Sequence, residues 1–160
     1  MNKKKLLTEL TARVGEDLDK AILAAKASSE GAIHEENRAE GNKDMRSTEA
    51  SYLARGQSMR VEELEDTLNR LGLMNVAPFG DDAPVSVGAL VCLETEDGAL
   101  NHYWLVTGAA GYELSHGDNT ITTITPQSPL GKELVEKRVG DDVDLHIGGG
   151  HRQLEIVSIE

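Results

Sequence analysis

Four places in this 160-residue chain hold residue types that could do chemistry. His34, beside Glu35 and Glu36, has the makings of a metal site. No second His or Cys lies within ligand spacing, so it reads as a polar-loop histidine rather than a ligand. Cys92 is a potential nucleophile, but inside Ala89-Leu90-Val91-Cys92-Leu93 it reads as a small packed hydrophobe. Gly148-Gly149-Gly150 has the composition of a phosphate-cradling loop. Strand-like segments flank it and no helix start follows, which makes it a hairpin turn. The fourth place is acidic: Glu30, Glu35, Glu36, Glu40, Asp44 and Glu49 meet only Arg38, Lys43 and Arg46. Carboxylates on such a loop lack a water-excluding pocket, so the chain is not expected to be an enzyme on its own.

The elements that position this acidic segment are helical. Leu7, Leu10, Val14, Leu18, Ile22 and Ala25 recur every three or four residues and predict an amphipathic helix from Lys3 to about Ser29. Val61, Leu64, Leu68 and Leu71 repeat the pattern within residues 43–72, and Gly72 supplies a stop. Neither helix can bury its stripe alone. With no further amphipathic helix to complete a bundle, the two are expected to pair as an antiparallel coiled-coil hairpin over residues 1–75. At the helical rise it would reach roughly 40 Å. The segment without periodicity, with Gly31 and Gly41, becomes the far tip at about residues 28–43.

Pro78, Gly80, Asp81, Asp82 and Pro84 mark residues 76–85 as a linker. Beyond it the period changes to two, and strands are expected around residues 87–93, 103–106, 121–124, 143–147 and 154–159. One helix interrupts the series: Ser128 can cap it, Pro129 suits its first turn, and Gly140 follows its end. Residues 86–160 thus read as a small antiparallel sheet with one helix, and the whole chain as α+β.

Composition narrows the partners. Residues 1–75 carry 12 Lys/Arg against 14 Asp/Glu, whereas residues 76–160 carry 4 against 14. Duplex DNA repels so acidic a chain, while a basic protein partner is attracted by it. Only Tyr52, Phe79, Tyr103, Trp104 and Tyr112 are aromatic, so an aromatic-lined ligand pocket is not expected. A single cysteine fits a reducing compartment, and no segment is long and apolar enough for a membrane, so a cytoplasmic protein is expected. The chain is also expected to be a monomer.

One set of motifs goes further. Ser128-Pro129-Leu130-Gly131-Lys132-Glu133-Leu134, then Lys137, then Val139-Gly140-Asp141-Asp142-Val143, then Leu154-Glu155-Ile156-Val157-Ser158-Ile159-Glu160 resembles the C-terminal domain of the GreA/GreB transcription elongation factors. The resemblance implies an FKBP-like domain. It also implies docking on RNA polymerase through the loop at Gln127, Ser128 and Pro129, with Leu130 or a neighbouring apolar side chain as the contact.

The N-terminal half resembles the same family at Glu49-Ala50-Ser51-Tyr52, Gln57 and Glu62-Glu63-Leu64-Glu65, and the family carries a helical hairpin there. Its tip reads Gly-Asp-Leu-Ser-Glu-Asn-Ala-Glu-Tyr. Two carboxylates of that tip enter the polymerase secondary channel and help hold a Mg2+ of the polymerase active site. The nascent RNA 3′ end of a backtracked complex is then hydrolysed, a chemistry in which a hard cation takes oxygen ligands. Here an ungapped alignment on Tyr52 places Met45 and Thr48 at the two carboxylate positions. A one-residue insertion restores Asp44 and leaves the second position to Thr48 or Glu49, while Glu35 and Glu36 form another acidic pair upstream.

The resemblance therefore implies a polymerase-binding elongation factor with Asp44, Glu49, Glu36 and Glu35 as candidate catalytic carboxylates. It implies no intrinsic cofactor, and Mg2+ shared with the polymerase if the tip is cleavage-competent. A channel binder that regulates without cleaving is the alternative. An FKBP-like prolyl isomerase or chaperone, and a hairpin serving some other partner, are the rivals.

Overall fold

The computed structural model describes residues 2–38, 45–80, 82–147 and 150–160, without the side chains of residues 35–38, 45–47 and 147. Helix α1 spans Lys3–Arg38 and helix α2 spans Met45–Gly72. No proline falls before residue 78, so nothing removes a backbone donor from either helix. Asn2 caps α1, its Oδ1 accepting from the Lys5 N–H at 3.1 Å. Helix α2 stops at Gly72, as expected.

The chain forms two compact units, Met1–Thr11 with Arg70–Glu160, and Ala12–Asn69. Both outer helix ends belong to the first unit, so α1 and α2 run antiparallel. In the second unit Val14 and Ala21 of α1 and Leu64 of α2 are buried. Val14 and Ala21 lie one heptad apart, as coiled-coil packing requires. The buried line of α1 is Leu6, Leu10, Val14 and Ala21, whereas Leu7, Leu18, Ile22 and Ala25 are half-buried. The seam thus lies slightly to one side of the predicted stripe. Helix α1 also continues well past residue 29, through most of the expected tip. Periodicity fades there because apolar residues thin out, yet Glu, Ala and Arg still favour helix over residues 30–38.

The first unit holds a six-stranded sheet in the order β3-β4-β2-β1-β6-β5. The strands are β1 (Leu90–Thr95), β2 (Leu100–Leu105), β3 (Glu113–His116), β4 (Asn119–Ile124), β5 (Asp142–Ile147) and β6 (Gly150–Ile159). The five expected strands are present, but the sheet is mixed rather than purely antiparallel: β2 and β4 run parallel, His102 beside Ile121. The reason is β3, which sequence periodicity did not reveal. Its four residues, Glu-Leu-Ser-His, bury only Leu114. By pairing back onto β4, this strand reverses the chain once more before β4 joins β2.

Helix α3 (Pro129–Leu134) covers one face of the sheet. Leu130 and Leu134 join Val85, Val91, Leu93, Leu105, Ile124, Val143, Leu154 and Ile156 in the core there. Each such side chain contributes about 1.5–3 kcal/mol by leaving water. Leu90, Cys92 and Trp104 point to the opposite face by alternation and are buried too, so this part of the sheet is covered on both sides. Phe79 and Val85, from the expected linker, pack on or within the core. Val85 also exchanges backbone bonds with Glu136 and Lys137, so this stretch is built into the first unit. Gly140 does not end α3; with φ +87 it forms the turn before β5, its N–H bonded to the Ile156 carbonyl.

Candidate functional site

The acidic segment is carried mostly by helix. Glu30 and His34 are exposed on α1, and Glu49 is exposed near the start of α2. Glu35 and Glu36 lie on the last turns of α1, while Asp44 lies outside the described residues. Glu30, Glu35 and Glu36 are therefore helical, not loop, residues. Among the described residues, no three His, Cys, Asp or Glu side chains are grouped to hold a metal ion.

The Gln127-Ser128-Pro129 loop is defined by short, interlocking bonds. The Ser128 hydroxyl donates to the Thr125 carbonyl at 2.7 Å and accepts from the Gly131 N–H at 3.0 Å, capping α3. A Cβ on Gly131 would stand 1.9 Å from the Thr125 carbonyl oxygen, so glycine is required for this cap to close. The same geometry leaves Gln127 and Pro129 exposed. Leu130 is different: it is 7% exposed and belongs to the core. Leu130 and Leu134, four residues apart on α3, are buried, while Pro129 is exposed, so of the expected contact residues Leu130 is the one whose side chain lies in the core.

A second constellation escaped the sequence reading. Lys3 is 5% exposed, and its ammonium donates to the carbonyls of Ala77 at 2.6 Å, Gly88 at 3.2 Å and Glu160 at 3.0 Å. The Phe79 ring centroid lies 4.6 Å from the same nitrogen. Burial lowers the Lys3 pKa from its ordinary value, and the nearby Glu160 charge partly counters it. The Gly88 carbonyl also accepts from Trp104 Nε1 at 3.3 Å. Gly88 has φ +96, and a Cβ there would meet the Asn75 carbonyl oxygen at 2.5 Å. A run of three lysines at positions 3–5 was the only hint in the sequence, and it does not say which one is buried.

Cys92 is buried, and burial, then the Glu94 and Glu160 charges, raise its pKa. It stays a thiol, which fits a packing role rather than a nucleophilic one. Around Gly148-Gly149-Gly150, β5 and β6 pair antiparallel, the arrangement a hairpin needs. Clefts among the described residues of the sheet unit include two lined mostly by polar residues. One, of about 440 Å³, is lined by Thr95, Glu96, Asp97, His151 and Arg152. The other, of about 340 Å³, is lined by Asn101, Tyr103, Glu113, Asp118 and Thr122. Neither is the apolar, aromatic-lined cleft that proline isomerisation would use. Among the described residues no helix is long and apolar enough to cross a membrane.

Comparison with known proteins agrees with the motifs. Residues 81–160, half of the chain, match the family described as "Transcription elongation factor, GreA/GreB, C-term". The transcription elongation factor GreA of Rhodopseudomonas palustris (strain TIE-1) is 34% identical over 101 residues, 63% of this chain. That match spans 60% of the relative's own length. GreA of Beijerinckia indica subsp. indica is 30% identical over 152 residues, 94% of this chain and 88% of that protein. GreA factor homolog 1 (Gfh1) of Thermus thermophilus, a solved structure, aligns over 94% of each chain at 22% identity with a TM-score of 0.41. On the family match and the near-full-length alignment to the Beijerinckia protein, this chain belongs to the GreA/GreB family of transcription elongation factors.

Proposed function

We propose that this chain binds bacterial RNA polymerase in the cytoplasm as a monomer, with α1 and α2 entering the secondary channel and the sheet unit docking outside it. The observation that carries the reading is the pairing of two long antiparallel helices, joined by the acidic segment, with a sheet unit matched by the family. Exposed Gln127 and Pro129, held by the Ser128 cap, supply the docking contact. Asp44 with Glu49 or Glu36, and Glu35 beside them, would offer carboxylate oxygens to a Mg2+ shared with the polymerase active site. The chain acts on the nascent RNA 3′ end only within the polymerase, and duplex DNA is not its ligand.

A second reading has its own support. In the ungapped register Met45 and Thr48 stand where the family has its two carboxylates, and neither is a good magnesium ligand. On that reading the chain occupies the channel and regulates the polymerase without promoting cleavage.

One experiment separates the readings. Purified chain is mixed with a stalled, backtracked elongation complex, and RNA 3′ ends are followed beside a variant with Glu35, Glu36, Asp44 and Glu49 changed to Ala. Shortened RNA that disappears with the variant supports cleavage. Binding without shortening supports the regulator. Failure to bind core polymerase at low salt overturns both, and cleavage that survives the variant overturns the carboxylate assignment.

A further inference from the structure

At the end of the β5–β6 ladder, two histidines stand directly opposite each other. His146 pairs with His151 in the antiparallel register, and their ring centroids are 4.8 Å apart. Side chains so paired have Cβ atoms only about 4.5–5.5 Å apart. Asp144, two residues before His146 on the same strand face, places its Oδ1 3.0 Å from His151 Nε2. All three side chains are exposed. The family motifs do not include any of them, and nothing in the polymerase reading uses them.

The bond to Asp144 sets the chemistry of the His151 ring. An ionised carboxylate can only accept, so Nε2 carries the hydrogen and donates it. In the neutral ring Nδ1 is then left with its lone pair. A carboxylate that fixes one imidazole nitrogen while the other faces a ligand is the outer-shell arrangement found behind metal-bound histidines, where it raises ligand basicity. The opposing imidazole of His146, its centroid 4.8 Å from that of His151, carries a further nitrogen on the same face of the ladder.

We propose that His146 and His151 form a two-histidine site for a divalent transition-metal ion of the Zn2+ or Ni2+ class, with Asp144 as the orienting carboxylate. Only two protein groups ligate, fewer than the three that a ready-made site would bring together. Water completes the coordination, so binding is weaker than at closed three- or four-ligand sites. Imidazole nitrogen selects these ions over Mg2+ and Ca2+, which prefer oxygen. A bound ion would join β5 to β6 one pair away from the end at which the two strands connect. The ordinary alternative is an aromatic pair with one exposed ion pair, worth little.

The test is calorimetric titration of the full chain with ZnCl2 and, separately, NiCl2 at neutral pH. One equivalent should bind, and His146→Ala or His151→Ala should each weaken it more than tenfold. Asp144→Asn should weaken it by about tenfold, the scale of outer-shell substitutions, with His116→Ala and His34→Ala unchanged. Titration followed by NMR of the histidine ring nitrogens should show His151 Nδ1, not Nε2, shifting. Binding that survives the His146/His151 double variant, or depends on His34, overturns the site. So does equal affinity for Mg2+, or no binding at millimolar metal. None of these outcomes bears on polymerase binding, so the two proposals stand or fall separately.

Discussion

The Lys3 ammonium stands 4.6 Å from the centre of the Phe79 ring, on the face of a side chain that composition alone assigns to a linker. Three backbone carbonyls, from Ala77, Gly88 and Glu160, take its hydrogens. The start of α1, the stretch before β1 and the end of β6 are thereby gathered on one cation. Replacing Lys3 by Met keeps the apolar stem but removes one donor from each carbonyl: Gly88 still accepts from Trp104 Nε1 and Glu160 from the Leu90 N–H, while Ala77 loses its donor. A loss of about 1–3 kcal/mol is expected, because an acceptor left unpaired costs more than a mean hydrogen bond. Urea unfolding of the two proteins checks it; a loss under about 0.5 kcal/mol would mean water already serves those carbonyls.

Glycines separate into two kinds. At Gly131 a Cβ would overlap the Thr125 carbonyl oxygen, so Gly131→Ala must push backbone apart, and a cost of about 3 kcal/mol or more is expected. Ser128→Ala removes only the cap and should cost about 1 kcal/mol. Gly56, exposed in the middle of α2, has nothing near its Cβ position. Gly56→Ala should therefore stabilise α2 by about 0.5–1 kcal/mol. Thermal unfolding followed by circular dichroism distinguishes the three, and a stabilising Gly131→Ala would refute the cap geometry.

Asp97 gives the sheet unit an acid-sensitive turn. The Thr95 hydroxyl, then the backbone N–H groups of Asp97 itself and Ala99, hold its carboxyl below the ordinary 3.8. A folded-state pKa below the unfolded one adds stability above about pH 4, and that addition is lost as pH falls through the lowered value. The wild type should thus exceed Asp97→Asn in stability at neutral pH, and the gap should close on acidification below 3.8. Urea midpoints of both proteins between pH 2 and pH 6 measure the gap; one that widens with acid contradicts the hydrogen-bonded turn.

Local information was enough for much of this protein. Leu10, Val14 and Leu64 carry a helical period, Gly72 ends a helix, and Ser128 with Pro129 starts one, because each signal is read within a turn or two of chain. The strands carried by Val91, Ile121, Val143 and Ile156 are legible for the same reason, as is the family motif around α3. The candidate carboxylates are named by residue type alone: Asp44 lies outside the described residues, and Glu35 and Glu36 ride on α1. What sequence period could not supply depends on partners distant in the chain. Lys3 looks like its neighbours until Ala77, Gly88 and Glu160 surround it. Leu130 looks like a surface contact until the sheet closes over it, and β3 is a strand only because β4 is beside it. Burial and ladder pairing are properties of two segments at once, so only the folded chain decides them.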